Sequence, residues 1–222
     1  MAEEKKARPA KHVSAAGRGK YVWVNKPDMK FDEGKGGKFK VDLILEAADA
    51  ATDKKIIDAA VEAAWAQMTA EIKEKLAGKA AAKIKTLSRE YPYVELSDDD
   101  GKETGDVQFK FKQNAIIKSA KKGLINVKIP IFDAKGKPIS DIVYGGSLLK
   151  VSYSMRPYLM ESTKKIGVTL DLNAVQVLEL VSSSGAADAE GYGFGAEEGY
   201  EGEEAPGSEF GAGDPASGEA DF

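Results

Sequence analysis

A catalytic reading would need residues that this chain supplies sparingly. Its 222 residues contain no Cys and one His, His12. That excludes a thiol nucleophile, a thiolate zinc site and a disulfide framework. His12 stands in a charged N-terminal stretch and offers no frame for a Ser-His-Asp arrangement. Gly34-Lys35-Gly36-Gly37-Lys38 has the wrong spacing for a phosphate loop, and it opens a strand pattern rather than a helix. Three successive carboxylates at Asp98-Asp99-Asp100 cannot converge on one cation from a regular strand, and Gly101 after them reads as a turn. The chain is therefore expected to be non-enzymatic, with no catalytic residue, no metal and no cofactor.

Phosphate and base binding is the chemistry its residues do suit. Val107, Phe109 and Phe111 alternate with Gln108, Lys110 and Lys112, so the apolar set faces inward and the lysines outward. Lys38 and Lys40 alternate in the same way with Phe39, Val41, Leu43 and Leu45. Lys150, Ser152, Ser154 and Arg156 share one face of a further run, and Tyr158 follows Pro157 at its end. Several strands thus display a basic face, which attracts a polyanion by Coulomb attraction and counterion release. Aromatics at its edges can stack on bases. Each lysine row alone is better explained as a solubility device; their coincidence with an acidic tail is what carries weight.

The charge distribution supports this. No Lys or Arg follows Lys165, and eleven Asp or Glu fall between Gly185 and Phe222. The first 184 residues carry +7 and the tail −11, giving the chain's −4. Such asymmetry indicates a basic body and an acidic tail.

The elements that position these residues are mostly strands. Residues 1–17 read as a disordered basic arm. Tyr21-Val22-Trp23-Val24 is a strand ended by the Asn25–Asp28 turn, and Lys38–Leu45 is a half-buried strand. Ile57, Val61, Ala64, Met68, Ile72 and Leu76 then recur every three or four residues. They predict one amphipathic helix over about 52–77, with Trp65 beside its apolar stripe. Residues 79–105 read as irregular. Runs at 107–112, 124–132, 147–158 and 166–181 follow, with a hairpin turn at 133–137. At least five strands and one helix predict a mainly β fold, a small barrel over 18–184. Residues 185–222 hold no Ile, Leu, Val or Met but ten Gly and five aromatics, so a disordered acidic tail is expected. No apolar run approaches the roughly 18 residues of a membrane span, and the N-terminus lacks a signal peptide's apolar core. A soluble chain, with no membrane partner, is expected.

In these stretches the sequence resembles the single-stranded DNA-binding proteins of short-tailed, T-seven-like bacteriophages. The resemblance is carried by Lys26-Pro27-Asp28, Lys40-Val41-Asp42-Leu43, Phe109-Lys110-Phe111-Lys112 and the turn 133–137. Its most specific part runs from Gly145-Gly146-Ser147 through Lys150 to Arg156-Pro157-Tyr158. Val177-Leu178-Glu179-Leu180 and the terminal Asp221-Phe222 complete the set. It implies a five-stranded oligonucleotide-binding (OB) barrel with an inserted helix, usually dimeric. It implies sequence-independent binding of single-stranded DNA in replication, recombination and annealing. The acidic tail would recruit the phage DNA polymerase and helicase-primase, with Asp221 and Phe222 at its tip. By match, Lys110, Lys112, Lys150 and Tyr158 inherit the DNA-binding role. The family pattern has a second Lys where this chain has Ser152, and aromatics near 114 and 160 where it has Asn114 and Met160. Arg156 is expected to supply the charge, and Tyr158, Tyr21 or Trp23 the stacking. The expected location is the host cytoplasm. The alternatives are a non-catalytic barrel that binds RNA and a protein-interaction adaptor whose basic face docks an acidic partner, with a nuclease a more distant one.

Overall fold

The computed structural model describes residues 9–30, 36–119 and 123–181. The expected tail, with Asp221 and Phe222, lies outside them. The strands before the main helix are β1 (Lys11–Val13), β2 (Gly17–Asp28) and β3 (Lys38–Leu45). Helix α1 (Ala47–Leu76) is followed by a 3-10 turn (Ala77–Lys79) and the short α2 (Ala80–Ile84). Then come β4 (Ser88–Glu90), β5 (Tyr93–Ser97), β6 (Glu103–Asn114), the hairpin β7 (Ile116–Ser119) and β8 (Gly123–Asn126), β9 (Ile131–Phe132), β10 (Leu148–Met160) and β11 (Lys165–Glu179).

The central strands run in the order β2-β3-β6-β11, and β10 pairs antiparallel with β11 along its length. β6 and β11 are parallel. β10 also meets β2, but only through Leu148 opposite Arg18 and Leu149 opposite Gly17. The fold is thus mainly β with one long helix, as the sequence indicates. The closed barrel is met in part, because the β10–β2 seam is two residue pairs long and leaves the sheet open beyond them. Close approach on both sides of β2, to β3 and to β10, needs glycine. A Cβ on Gly17 would stand 2.4 Å from the Ile44 carbonyl oxygen, and one on Gly19 2.7 Å from Leu149 Cδ1.

The core lies between the inner sheet face and α1. Val41, Leu43, Leu45, Phe109, Phe111, Leu149, Val151, Tyr153, Leu170 and Leu172 are all buried there, with Ile57, Val61 and Ala64 from the helix. These are the alternating and 3.6-period positions of the sequence, and each strand's polar set faces out.

Five expectations need correction. The helix starts at Ala47 rather than near Thr52, because its first inward residues are Ala50 and Asp53, which carry no apolar signal. Leu76, read as part of the stripe, is exposed. The basic arm is ordered in its second half: β1 pairs with β10, and His12 stacks on Tyr153 with ring centroids 5.5 Å apart. Residues 79–105 hold α2, β4 and β5, and β5 pairs with β6. The run 124–132 is broken into β8 and β9, since Pro130 has no N–H for a ladder. The two Asp turns form as read. Asp98 Oδ1 accepts from the Asp100 and Lys102 amides, and Asp133 Oδ1 from those of Lys135 and Lys137.

Candidate nucleic-acid interface

Strand register turns separate lysine rows into one surface. Residues directly opposite each other on neighbouring strands share a face. Trp23, Lys40, Lys112, Asp171, Ser154 and Lys11 follow one another across β2, β3, β6, β11, β10 and β1. The next row holds Lys20, Asp42 and Lys110 on β2, β3 and β6. Arg156 lies on β10 opposite Thr169 of β11.

An open groove of about 680 Å³ runs over this face, and Lys40, Lys110, Lys112, Arg156 and Tyr158 all line it. The structure therefore gathers five of the nine expected DNA-binding residues in one place. Trp23 stands beside them in register with Lys40 and is half-buried. Tyr21 is 58% exposed and adopts φ +50, in the irregularity between Lys20 and Trp23. A bulky residue there is unusual, and an extra residue at this point turns its ring outward while Val22 packs on the core. Lys20 Nζ lies 5.3 Å from the centroid of that ring.

Trp23 and Tyr21 flank the groove without lining it, and the other two expected residues stand further off. Lys38 is opposite Asn114 at the end of β6. Lys150 shares the outward face of Arg156, but it is six residues earlier on β10, roughly 20 Å along a strand; it faces Gln176 instead.

Carboxylates that the sequence reading left out stand among these cations, and two of them, Asp42 and Glu90, line the groove itself. Asp28 pairs with Lys40 at 2.5 Å, and this hydrogen bond is the main reason its carboxyl is held below the usual range. Asp171 takes both Nε and Nη2 of Arg156, at 2.9 and 2.8 Å. Glu90, on β4, accepts from Lys165 at 2.7 Å and from the Tyr158 hydroxyl at 2.6 Å. Those two hydrogen bonds lower its pKa, the Lys165 bond first. Asp42 accepts from Gln108 Nε2 at 2.6 Å, and burial pushes its carboxyl upward despite three neighbouring lysines. By contrast, Lys110 and Lys112 are exposed and make no salt bridge with a described residue.

Tyr158 is thus pinned by its hydroxyl, which leaves the ring as part of the groove wall. Gly167 permits this: a Cβ there would stand 2.4 Å from the Glu90 carbonyl oxygen and 3.0 Å from the Tyr158 hydroxyl. Tyr91, 39% exposed, lines the same groove. Its only sequence signal was the Tyr91-Pro92-Tyr93 cluster. Trp65 is elsewhere, packed on the core with the Arg89 guanidinium 4.2 Å from its ring.

Comparison with known proteins identifies chains similar in sequence and fold. The family model described as single-stranded DNA-binding protein, Bacteriophage T7, matches residues 16–180. The single-stranded DNA-binding protein of Escherichia phage T7 is 31% identical over 180 residues, 76% of this chain and 75% of that protein. That of Enterobacteria phage T3 is 31% identical over 183 residues, 77% and 75% of the two chains. The crystal structure of gp2.5, a single-stranded DNA-binding protein encoded by bacteriophage T7, superposes with TM-score 0.63 at 28% identity. It covers 82% of this chain and 95% of that one. A C-terminally truncated single-stranded DNA-binding protein of bacteriophage Enc34 shares the fold, with TM-score 0.51 at 13% identity over 82% of this chain and 99% of that one.

Proposed function

This chain belongs to the family of single-stranded DNA-binding proteins of bacteriophage T7, and from that premise we propose that it coats single-stranded DNA through the groove lined by β3, β6 and β10. The strand order supports reading the body as an oligonucleotide-binding barrel. The observation that carries the proposal is the register that sets Lys40 beside Lys112 in one groove with Lys110 and Tyr158. Lysines follow the phosphates, and Tyr158, Tyr91, Trp23 and Tyr21 offer rings to the bases. Such stacking is indifferent to sequence because every base has a π-face. We assign the protein no catalytic step and place it in replication, recombination and annealing as a homodimer in the host cytoplasm.

Salt titration tests the electrostatic part. If about four or five phosphates are neutralised, log K for oligo-dT falls against log salt with slope near −3, at about −0.7 per contact for single strands. A slope close to zero rejects the groove. Duplex DNA and RNA of equal length should bind more weakly; preference for RNA would favour the RNA-binding alternative.

Tyr158→Ala should weaken single-strand binding by about 5- to 160-fold, the range of one lost base stack. Tyr158→Phe keeps the ring and loses only the Glu90 contact, so it should bind nearly as well. Equal binding by wild type and the Ala variant would make Tyr158 a rim residue only.

The tail extends the proposal to partners. Its eleven acids and terminal Phe222 suit competition with DNA and anchoring in an apolar pocket of the polymerase or helicase-primase. Tethering to the same chain raises its effective concentration to about millimolar, so even weak contacts compete. Removing residues 185–222 should tighten DNA binding, most clearly at low salt. Phe222→Ala keeps every acid, so it should leave DNA binding unchanged and weaken polymerase capture. Equal capture by both proteins would remove the anchoring role.

A further inference from the structure

Asp42 stands where a phosphate-binding surface should be purely basic. It lies on β3 between Lys20 of β2 and Lys110 of β6, and Lys40 is two residues away on the same strand face. All three lysines act on it electrostatically. It forms part of the groove lining. Its hydrogen-bond partner among the described residues is neutral, the Gln108 amide, which is itself 8% exposed. The carboxylate is therefore fixed in place without a direct ion pair to cancel it.

We infer that Asp42 is an affinity-limiting residue: its carboxylate, fixed among the groove lysines, opposes an incoming phosphate and speeds release of the strand. The inference rests on the reading of this groove as the single-strand site. Two effects have the same sign. In the free protein the carboxylate already neutralises part of the field of Lys20, Lys40 and Lys110, so less attraction is left for DNA. In the complex it stands near the phosphates that those lysines hold, and two anions in a partly dry groove repel. Asp28 and Asp171 differ from it, since each is committed to one cation through a short contact. Their removal would free a cation and also change that cation's position. Asp42 can lose its charge with its neighbours left in place, because an Asn side chain can still accept from Gln108.

The test uses the full chain and four variants, with oligo-dT equilibrium binding and dissociation rates at about 50 and 300 mM salt and thermal unfolding of each protein. Asp42→Asn should bind roughly three- to tenfold tighter at the lower salt, mainly through slower dissociation. The gain should shrink at the higher salt. Asp42→Ser, without the Gln108 contact, should shift binding in the same direction and decides the matter if Asp42→Asn does not fold. Glu74→Gln makes the same charge change at an exposed site on α1 and should leave binding within about twofold. Lys110→Ala should weaken it. A charge-neutral Asp42 variant that binds no tighter than wild type, or no tighter than Glu74→Gln, overturns the inference. If Lys110→Ala also binds like wild type, the groove reading itself has failed; if only the Asp42 variants are silent, the groove stands and the role of Asp42 falls.

Discussion

Replacing Lys110 and Lys112 together with Ala should lower affinity for oligo-dT by about tenfold or more at low salt, with the melting temperature unchanged. Replacing Phe109, the residue before Lys110, should do the reverse. The two outcomes follow from one strand. β6 pairs with β3 over eight consecutive residues, from Lys38 opposite Asn114 to Leu45 opposite Val107. That pairing fixes which side each residue takes, because a one-residue slip would invert every side chain. Phe109 is 1% exposed and its ring lies 5.5 Å from that of Tyr93. Truncation to Ala leaves a cavity under β3 and α1 and costs about 3–5 kcal/mol. Lys110 and Lys112 point into the open groove and make no salt bridge with a described residue, so their removal breaks no native contact of that kind. What is lost is phosphate attraction and the counterion release behind it. The salt slope should become shallower by about 1.4, two contacts at about 0.7 each. Intact stability after the Phe109 change, or unfolding after the lysine change, would mean that the faces of β6 are inverted.

The parts of this architecture that were legible in the sequence are those written as a period. Phe39 to Leu45, Val107 to Lys112 and the 147–158 run each alternate, and the faces read from them are the faces found. The stripe Ile57-Val61-Ala64 likewise marks the buried side of α1. Period says nothing of which strand lies beside which. That Lys112 faces Lys40 on one side and Asp171 on the other depends on a parallel β6–β11 pairing between distant segments. It is also why Lys150, read as part of the groove, stands apart from it. The carboxylates were invisible for a related reason. Asp42 and Asp171 read as ordinary polar positions on outward faces, and only register shows them set among cations. The missed elements are short or lack apolar contrast. β4 has three residues and β1 three, and both are held by longer neighbours, β11 and β10.

Asp53 marks the point where an apolar pattern fails because a polar pair takes its place, and its removal should be among the most damaging single changes to the fold. The residue is 6% exposed and lies in the second turn of α1. Its Oδ2 accepts from the Ala15 amide at 2.9 Å and its Oδ1 from the Tyr153 hydroxyl at 3.1 Å. Tyr153 is fully buried on β10. One carboxylate thus ties together the helix start, the segment after β1 and the strand that continues to Arg156 and Tyr158. Asp53→Ala would leave a buried hydroxyl and a part-buried amide without partners. At about 1–3 kcal/mol for each, a loss of about 3 kcal/mol is expected. Asp53→Asn retains an acceptor and should cost less. Alkaline unfolding offers an independent reading of the same contact. Burial first, then the Asp53 charge and hydrogen bond, raise the Tyr153 pKa above its ordinary value. The neutral hydroxyl is therefore favoured more in the folded than in the unfolded chain. That stabilisation is complete below about pH 10 and declines as pH rises further, because the unfolded tyrosine gives up its proton first. Tyr153→Phe should be less stable at neutral pH, yet lose less on going from pH 9 to 11 than wild type does. Denaturant melts across that range would decide it: an Asp53→Ala protein within about 0.5 kcal/mol of wild type, or a Tyr153→Phe protein with the same alkaline decline, would show that this pair does not hold α1 to β10.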